Sequence, residues 1–84
     1  MKAVLLSYFE RKKVVKIPND KEESDISYLE KAFKELFCYE GDLSTISLQK
    51  FNEEWQTDLD LDEGDVIIDK DVLKVVTFSK VSIY

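Results

Sequence analysis

The sequence predicts an α+β fold, with a mixed sheet of four to five strands packed on one main helix. Short apolar segments rich in strand-forming residues lie near both ends of the chain, at 3–9 and 72–78. Between them, over about 25–38, apolar residues recur every three or four positions, which is the period of an amphipathic helix. A chain of 84 residues is long enough for one domain, so we expect 1–84 to fold as a single unit.

The first two strands are predicted to form an antiparallel hairpin. The apolar run 3–9 is too short for a buried helix, and 14–17 forms a second strand that ends at Pro18. The charged segment 10–13 between them is predicted to be the turn. Strands this close in sequence pair antiparallel, because a parallel pair needs a long crossover.

The helix has clear predicted limits. Ser24 or Asp25 provides a side-chain oxygen to cap its first turn, and Gly41 provides a break after Glu40. The apolar stripe consists of Ile26, Leu29, Phe33 and Leu36. Tyr8, Phe9 and Phe37 are expected in the core with Phe33, and Cys38 is expected to be a small buried apolar residue.

Alternation of apolar and polar residues predicts a half-buried strand over 45–51, with Ile46 and Leu48 facing the core. Phe51 is out of phase, so a bulge or strand end is expected near Lys50. The acidic stretch that follows contains a short strand around 59–61, and 66–68 is either a brief strand or an ordered loop. The last strand is 72–78, which 81–84 either extends or follows as a frayed end.

This order of elements is the layout of the β-grasp, or ubiquitin-like, fold. In that fold the first and last strands pair in parallel at the centre of the sheet. The apolar density of 3–9 and 72–78 suits strands that have a neighbour on both sides.

Charge excludes several classes of function. The chain has 12 Lys+Arg against 18 Asp+Glu, a net charge of −6, which argues against nucleic acid and anionic membranes as partners. The chain has no histidine and one cysteine, so imidazole chemistry, an internal disulfide and a thiolate zinc site are excluded. No acid–base pair stands out among the carboxylates, so we expect no enzyme activity and no cofactor.

The charges are segregated along the sequence. Residues 52–71 contain nine acids and one base, whereas 2–16 contain five bases and one acid. One reading is that these runs are solvated faces that keep a small domain soluble, or that they neutralise each other within the fold. The other is that they form two complementary surfaces that select a protein partner.

The opening Met1-Lys2-Ala3-Val4, the basic Arg11-Lys12-Lys13 and an apolar strand ending at Pro18 resemble the start of PB1 domains. The resemblance implies a basic face that binds an acidic turn, of the form Asp-x-Asp/Glu-Gly-Asp, on the next domain. Two stretches are similar to that turn, Phe51–Trp55 after the third strand and Asp60–Asp65 further on. The first has Asn52 and Trp55 where the pattern has acid and glycine, and the second comes late in the fold.

The resemblance implies a noncatalytic interaction module that binds itself or another β-grasp or signalling domain, with a homo-oligomer as one outcome. The basic face would consist of Lys2, Arg11, Lys12, Lys13 and Lys16. The acidic face would consist of Glu53, Glu54, Asp58, Asp60 and Asp62. Trp55 would be an apolar anchor between these charges.

Two alternatives remain. Lysines on the second strand also suit a Ras-association-like or other ubiquitin-like adaptor domain that binds an acidic protein by extending its sheet. Asp58, Asp60 and Asp62 alternate as in a calcium loop, but Glu63 and Asp69 replace the glycine and glutamate that an EF-hand requires. With no spanning segment and no signal peptide pattern, we expect the cytoplasm or nucleus, and a module of this size is expected to be part of a larger protein or assembly.

Overall fold

A computed structural model describes residues 1–78 and shows the predicted α+β fold. Its elements are β1 Lys2–Tyr8, β2 Arg11–Ile17, α1 Asp25–Leu36, a 3₁₀ turn Leu43–Thr45, β3 Ile46–Asn52, β4 Thr57–Asp60 and β5 Val72–Thr77. The predicted segment 81–84 lies outside the described residues.

The five strands form one mixed sheet in the order β2-β1-β5-β3-β4. β1 and β5 are parallel, with Leu6 opposite Leu73, and the other neighbouring pairs are antiparallel. The predicted β-grasp arrangement is therefore present, including the parallel pairing of the first and last strands. β2 and β4 are the edges of this sheet.

The core lies between the sheet and α1. Alternate residues of β1, β2, β3 and β5 face the helix, because side chains alternate between the two faces of a strand. We call the other side of the sheet the open face. The buried apolar residues are Val4, Leu6, Val15, Ile17, Ile26, Leu29, Phe33, Phe37, Ile46, Leu48, Ile67, Leu73 and Val75.

The segment from 61 to 71 is an ordered loop fixed to the core by Ile67, which is 1% exposed. The buried Asp71 closes this loop, since its Oδ2 accepts a 2.9 Å hydrogen bond from the Ile68 N–H. Its Oδ1 lies 3.0 Å from Lys50 Nζ. Of the two predictions for 66–68, the ordered loop is correct.

The predicted turn at 10–13 is wrong, because β2 begins at Arg11 and the turn consists of Phe9 and Glu10 alone. The guanidinium carbon of Arg11 lies 5.1 Å from the centre of the Phe37 ring, and Lys13 Nζ lies 5.6 Å from it. Long basic side chains cover apolar surface with their aliphatic stems, so these charged residues continue the strand.

The helix begins as predicted, with Ser24 Oγ accepting a 3.1 Å hydrogen bond from the Ser27 N–H. It ends at Leu36, so the predicted break at Gly41 is wrong. The chain leaves the helix through Cys38, which has a left-handed φ of 54°. Gly41 serves another purpose, since the Tyr39 ring occupies the space that a side chain there would need.

Of the two expectations near Lys50, the bulge is absent, and β3 ends two residues beyond Lys50, at Asn52. Its register with β4 runs without interruption from Gln49 opposite Asp60 to Asn52 opposite Thr57. Phe51 is out of phase with the core residues because Lys50 takes the helix-facing position and pairs with the buried Asp71.

Among the aromatic residues predicted for the core, Phe33 and Phe37 are buried and Tyr8 is half-buried against them. Phe9 is 84% exposed, so its assignment to the core is wrong. It occupies the hairpin turn with a φ of 54°. Cys38, which follows the C-cap Phe37, is also exposed, so its assignment to the core is wrong.

Candidate interaction surfaces

The basic and acidic stretches occupy opposite edges of the sheet. β2 forms one edge and β4 the other, with β1, β5 and β3 between them. Within residues 1–78 no strand pairs with the outer side of either. An unpaired edge presents backbone N–H and C=O groups that can bind another chain.

Alternation along β2 divides the predicted basic residues between two faces. Lys12 and Lys16 lie opposite Ser7 and Ala3 of β1, and all four belong to the open face. Both lysines are exposed and have no ion-pair partner within the described part of the chain. We call Lys12 and Lys16 the basic edge.

The other three predicted basic residues belong to the helix-facing side, where each has an internal contact. Lys2 Nζ lies 2.7 Å from Asp25 Oδ2, at the start of α1. Lys13 Nζ donates a 3.0 Å hydrogen bond to the Leu36 C=O, at the end of the helix. Arg11 packs over Phe37. The structure therefore does not bring all five basic residues together.

Asp58 and Asp60 lie on the open face of β4, opposite Phe51 and Gln49 of β3. Asp60 Oδ1 accepts hydrogen bonds of 2.9 Å from Gln49 Nε2 and 3.0 Å from Ser47 Oγ. These bonds to Gln49 and Ser47 lower the pKa of Asp60, so its carboxylate is held in place and ionised. Asp58 Oδ2 lies 3.9 Å from Lys74 Nζ. We call Asp58 and Asp60 the acidic edge.

The remaining predicted acidic residues flank this edge. Glu53 and Glu54 are exposed in the turn between β3 and β4, and Asp62 is exposed just after β4. Of the two stretches that resemble the PB1 acidic turn, Phe51–Trp55 lies at the β3–β4 hairpin and Asp60–Asp65 follows β4.

Trp55 is at the tip of the β3–β4 hairpin and is 72% exposed. Its backbone N–H donates a 3.1 Å hydrogen bond to Asn52 Oδ1, which orders the turn. The position suits an anchor that inserts into a partner, since an exposed tryptophan provides a large apolar area.

The centre of the open face is apolar, which the sequence pattern did not predict. A shallow groove of about 710 Å³ runs across β5, with Phe9 at one side and Phe51 at the other. Val72 in its floor is 59% exposed, and Phe51 is 52% exposed. The apolar residues of 72–78 predicted a strand. They did not show which of its valines lie on the open face.

A second charged cluster surrounds the start of α1 and is structural. The Asp25 carboxylate accepts hydrogen bonds from Lys2 and Lys21, and the bond from Lys2, followed by that from Lys21, lowers the pKa of Asp25. Glu63 accepts hydrogen bonds from the Ser24 and Ser27 hydroxyls, which lower its pKa. The Glu63 contacts tie the 61–71 loop to the helix, and the Asp25 contacts tie the helix to β1 and to the preceding loop.

Within residues 1–78 no three acidic or cysteine side chains converge in a way that could hold a metal ion. Asp58 and Asp60, two of the predicted calcium-type ligands, are engaged with Lys74, Gln49 and Ser47. No helix in this part of the chain is long and apolar enough to cross a bilayer.

No family model matches the chain, and no curated protein or solved structure shows significant similarity to it. Because a fold alone does not identify what a domain binds, the surfaces described above are the evidence for function.

Proposed function

We propose that this chain is a noncatalytic protein–protein interaction module. It associates head to tail, with the basic edge of one domain bound to the acidic edge of the next. The partner is a second copy or another β-grasp domain, as in a PB1-like signalling adaptor in the cytoplasm or nucleus. The observation that supports the proposal is the placement of Lys12 and Lys16 on one edge of the sheet and of Asp58 and Asp60 on the other.

Distance supports an intermolecular role for these charges. Four strand spacings of about 4.8 Å separate β2 from β4, so the two edges are about 19 Å apart. The Debye length at physiological salt is about 8 Å, so charges this far apart on an exposed surface are largely screened from one another. The edges therefore do not neutralise each other within the domain, and a partner can bind each of them.

The PB1 resemblance supports the same mode of association, with one difference. Lys2 matches the first-strand lysine of that family, but here it pairs with Asp25 at the helix start. The proposed interface therefore depends on Lys12 and Lys16, which have no internal ion pair within residues 1–78.

Complementary charge reversal tests the proposal. K12E/K16E removes the basic edge and leaves the acidic edge, whereas D58K/D60K does the reverse. We expect each variant alone to be monomeric by sedimentation velocity, since each has lost one of its two surfaces. Mixed together, they should associate again, because the acidic edges of one variant are complementary to the basic edges of the other.

The matched control is K31E/K34E, which makes the same change in charge on exposed positions of α1. It should self-associate as the wild type does, because it leaves both edges unchanged. Absence of association in the mixture, or equal loss of association in the control, would show that the two edges are not an interface between copies of this chain.

A second candidate function is favoured by the unpaired edge of β2. An acidic strand from a different protein could extend the sheet there, as in the Ras-association-like mode. The same variants separate the two candidates. Binding to such a partner would be lost in K12E/K16E and kept in D58K/D60K.

A further inference from the structure

We propose that the head-to-tail contact continues the β-sheet, with β4 of one copy pairing antiparallel with β2 of a second copy of this chain. This inference rests on the proposed function and deepens it. It specifies the partner, a second copy, and adds backbone hydrogen bonds to the charge pairing. Such pairing requires that each edge strand direct backbone N–H and C=O groups outward.

At β2 these groups are identified by the bonds that β1 makes on its other side. The Leu5 N–H donates a 2.9 Å hydrogen bond to the Asp71 C=O, and the Ala3 C=O accepts a 2.7 Å bond from the Lys70 N–H. These residues therefore direct their backbone groups toward β5. Their partners in β2, Val14 and Lys16, direct theirs away from β1, and so does Lys12 two residues earlier.

At β4 the outward backbone groups are identified by the hydrogen bonds of the neighbouring strand β3. The Leu48 C=O accepts a 2.8 Å hydrogen bond from the Leu61 N–H, so Leu48 faces the β4 side. Its neighbour Gln49 therefore faces β5, as Phe51 does by alternation. Their partners in β4, Asp60 and Asp58, direct their backbone groups to the outer edge.

Strand direction also fits. β1 and β5 run in the same direction, β2 and β3 run opposite to them, and β4 runs with β1. When one copy is placed beside another in the plane of the sheet, β4 lies antiparallel to the neighbouring β2. Outward-facing residues of both strands can then form hydrogen-bonded pairs.

The charges select one register. Across the open face, neighbouring residues form a continuous row through all five strands: Lys12, Ser7, Lys74, Gln49 and Asp60. Pairing Asp60 with Lys12 of the next copy continues this row. The same register places Asp58 opposite Val14 and diagonal to Lys16, within reach of its long side chain.

The acidic edge has a carboxylate oxygen that can accept this contact. Both internal hydrogen bonds of Asp60 are made by Oδ1, and Oδ2 receives none from residues 1–78. An ammonium group of the neighbouring copy can therefore bind Oδ2 without displacing either bond. Pairing of two β2 edges or two β4 edges would instead oppose like charges, so the head-to-tail arrangement is selected.

Val14→Pro tests the backbone pairing without changing charge. Val14 is 60% exposed, lies at the middle of the outward-facing residues, and its N–H points away from β1. Proline removes this donor, and edge strands tolerate it. The matched control, Val14→Ala, shortens the side chain and keeps the N–H.

We expect Val14→Pro to weaken self-association at least tenfold in sedimentation equilibrium, and Val14→Ala to change it less than threefold. Unfolding curves verify that both variants fold. If Val14→Pro destabilises the domain, amide exchange in the wild type serves instead. The Val14 and Asp60 N–H groups should exchange more slowly as protein concentration rises.

The outcomes separate this inference from the proposed function. Equal association of Val14→Pro and Val14→Ala, or amide exchange independent of concentration, would overturn the strand pairing and leave contact through the charged side chains. A wild-type chain that stays monomeric at millimolar concentration would overturn the second copy as partner. Unchanged association in K12E/K16E would instead reject the proposed function.

Discussion

Asp25 illustrates how one residue links the helix to the sheet. Its carboxylate binds Lys2 of β1 and Lys21 of the preceding loop, and it lies in the first turn of α1. A carboxylate there also interacts favourably with the helix dipole. Lys2 is thereby fixed in the fold, so the proposed interface depends on the open-face residues Lys12 and Lys16.

Asp25→Asn should lower stability at pH 7 by about 1 kcal/mol, the scale of a charge at a helix start. The lowered pKa of Asp25 means that its contribution is fully present above the unfolded value of about 3.9. This stabilising contribution is lost as the pH falls through the pKa of Asp25 in the folded protein, which is the lower of the two. The difference in free energy of unfolding between the wild type and Asp25→Asn should therefore decrease toward pH 2.

Urea unfolding at a series of pH values measures this difference. Asp20→Asn is the matched control, because Asp20 is exposed and forms no ion pair within residues 1–78. It should change stability little at any pH. A gap between wild type and Asp25→Asn that stays constant from pH 7 to pH 2 would show that the charge of Asp25 is not the cause.

At the scale of the element, the end of α1 carries backbone strain. Cys38 has a φ of 54°, a conformation that glycine adopts readily and other residues adopt at a cost of about 1–2 kcal/mol. Cys38→Gly should therefore raise the free energy of unfolding by about 1 kcal/mol. Thermal or urea unfolding would detect a change of this size.

The control for Cys38→Gly is Glu40→Gly, at an exposed position with a negative φ. There glycine only adds conformational freedom to the unfolded chain, so stability should fall slightly or stay the same. If both substitutions lower stability, the conformation of Cys38 carries no strain that glycine relieves.

The sequence predicted each element in which apolar residues recur at the regular spacing of a helix or a strand. Ile26, Leu29 and Phe33 revealed the helix, and the alternation of Ile46 and Leu48 revealed β3. The start of β2 was missed because the charged groups of Arg11 and Lys13 lie over the Phe37 ring, so charge occupies positions that face the helix. β3 ends at Asn52, one residue beyond the predicted end, whereas the pairing of Lys50 with Asp71 was not predicted because the two residues are distant in sequence.

The candidate surfaces were predictable only as segregated charge. The acidic and basic runs were visible in the sequence, but their division between faces depends on strand register. Lys12 and Lys13 are neighbours in sequence, yet one belongs to the open face and the other contacts the end of the helix. The outward backbone groups of Val14 and Asp60 depend on hydrogen bonds to central strands, which a local pattern does not reveal.

At the scale of the whole molecule, the sheet order gives the domain two different ends. Under the proposed function, the basic β2 of one copy would bind the acidic β4 of the next and leave a free edge of each kind on every dimer. Such heterologous contacts generate chains or closed rings. Exposed edges of opposite charge thus favour ordered assembly, whereas edges of like charge would repel.

The most direct test of this account is the molar mass of the wild-type chain by light scattering, across protein concentration at low and high salt. We predict a mass that grows with concentration at low salt and returns to the monomer value at high salt, because screening weakens the charged edges. A mass that stays monomeric at every concentration would contradict head-to-tail association between copies of this chain, and an oligomer that salt does not dissociate would contradict association through the charged edges.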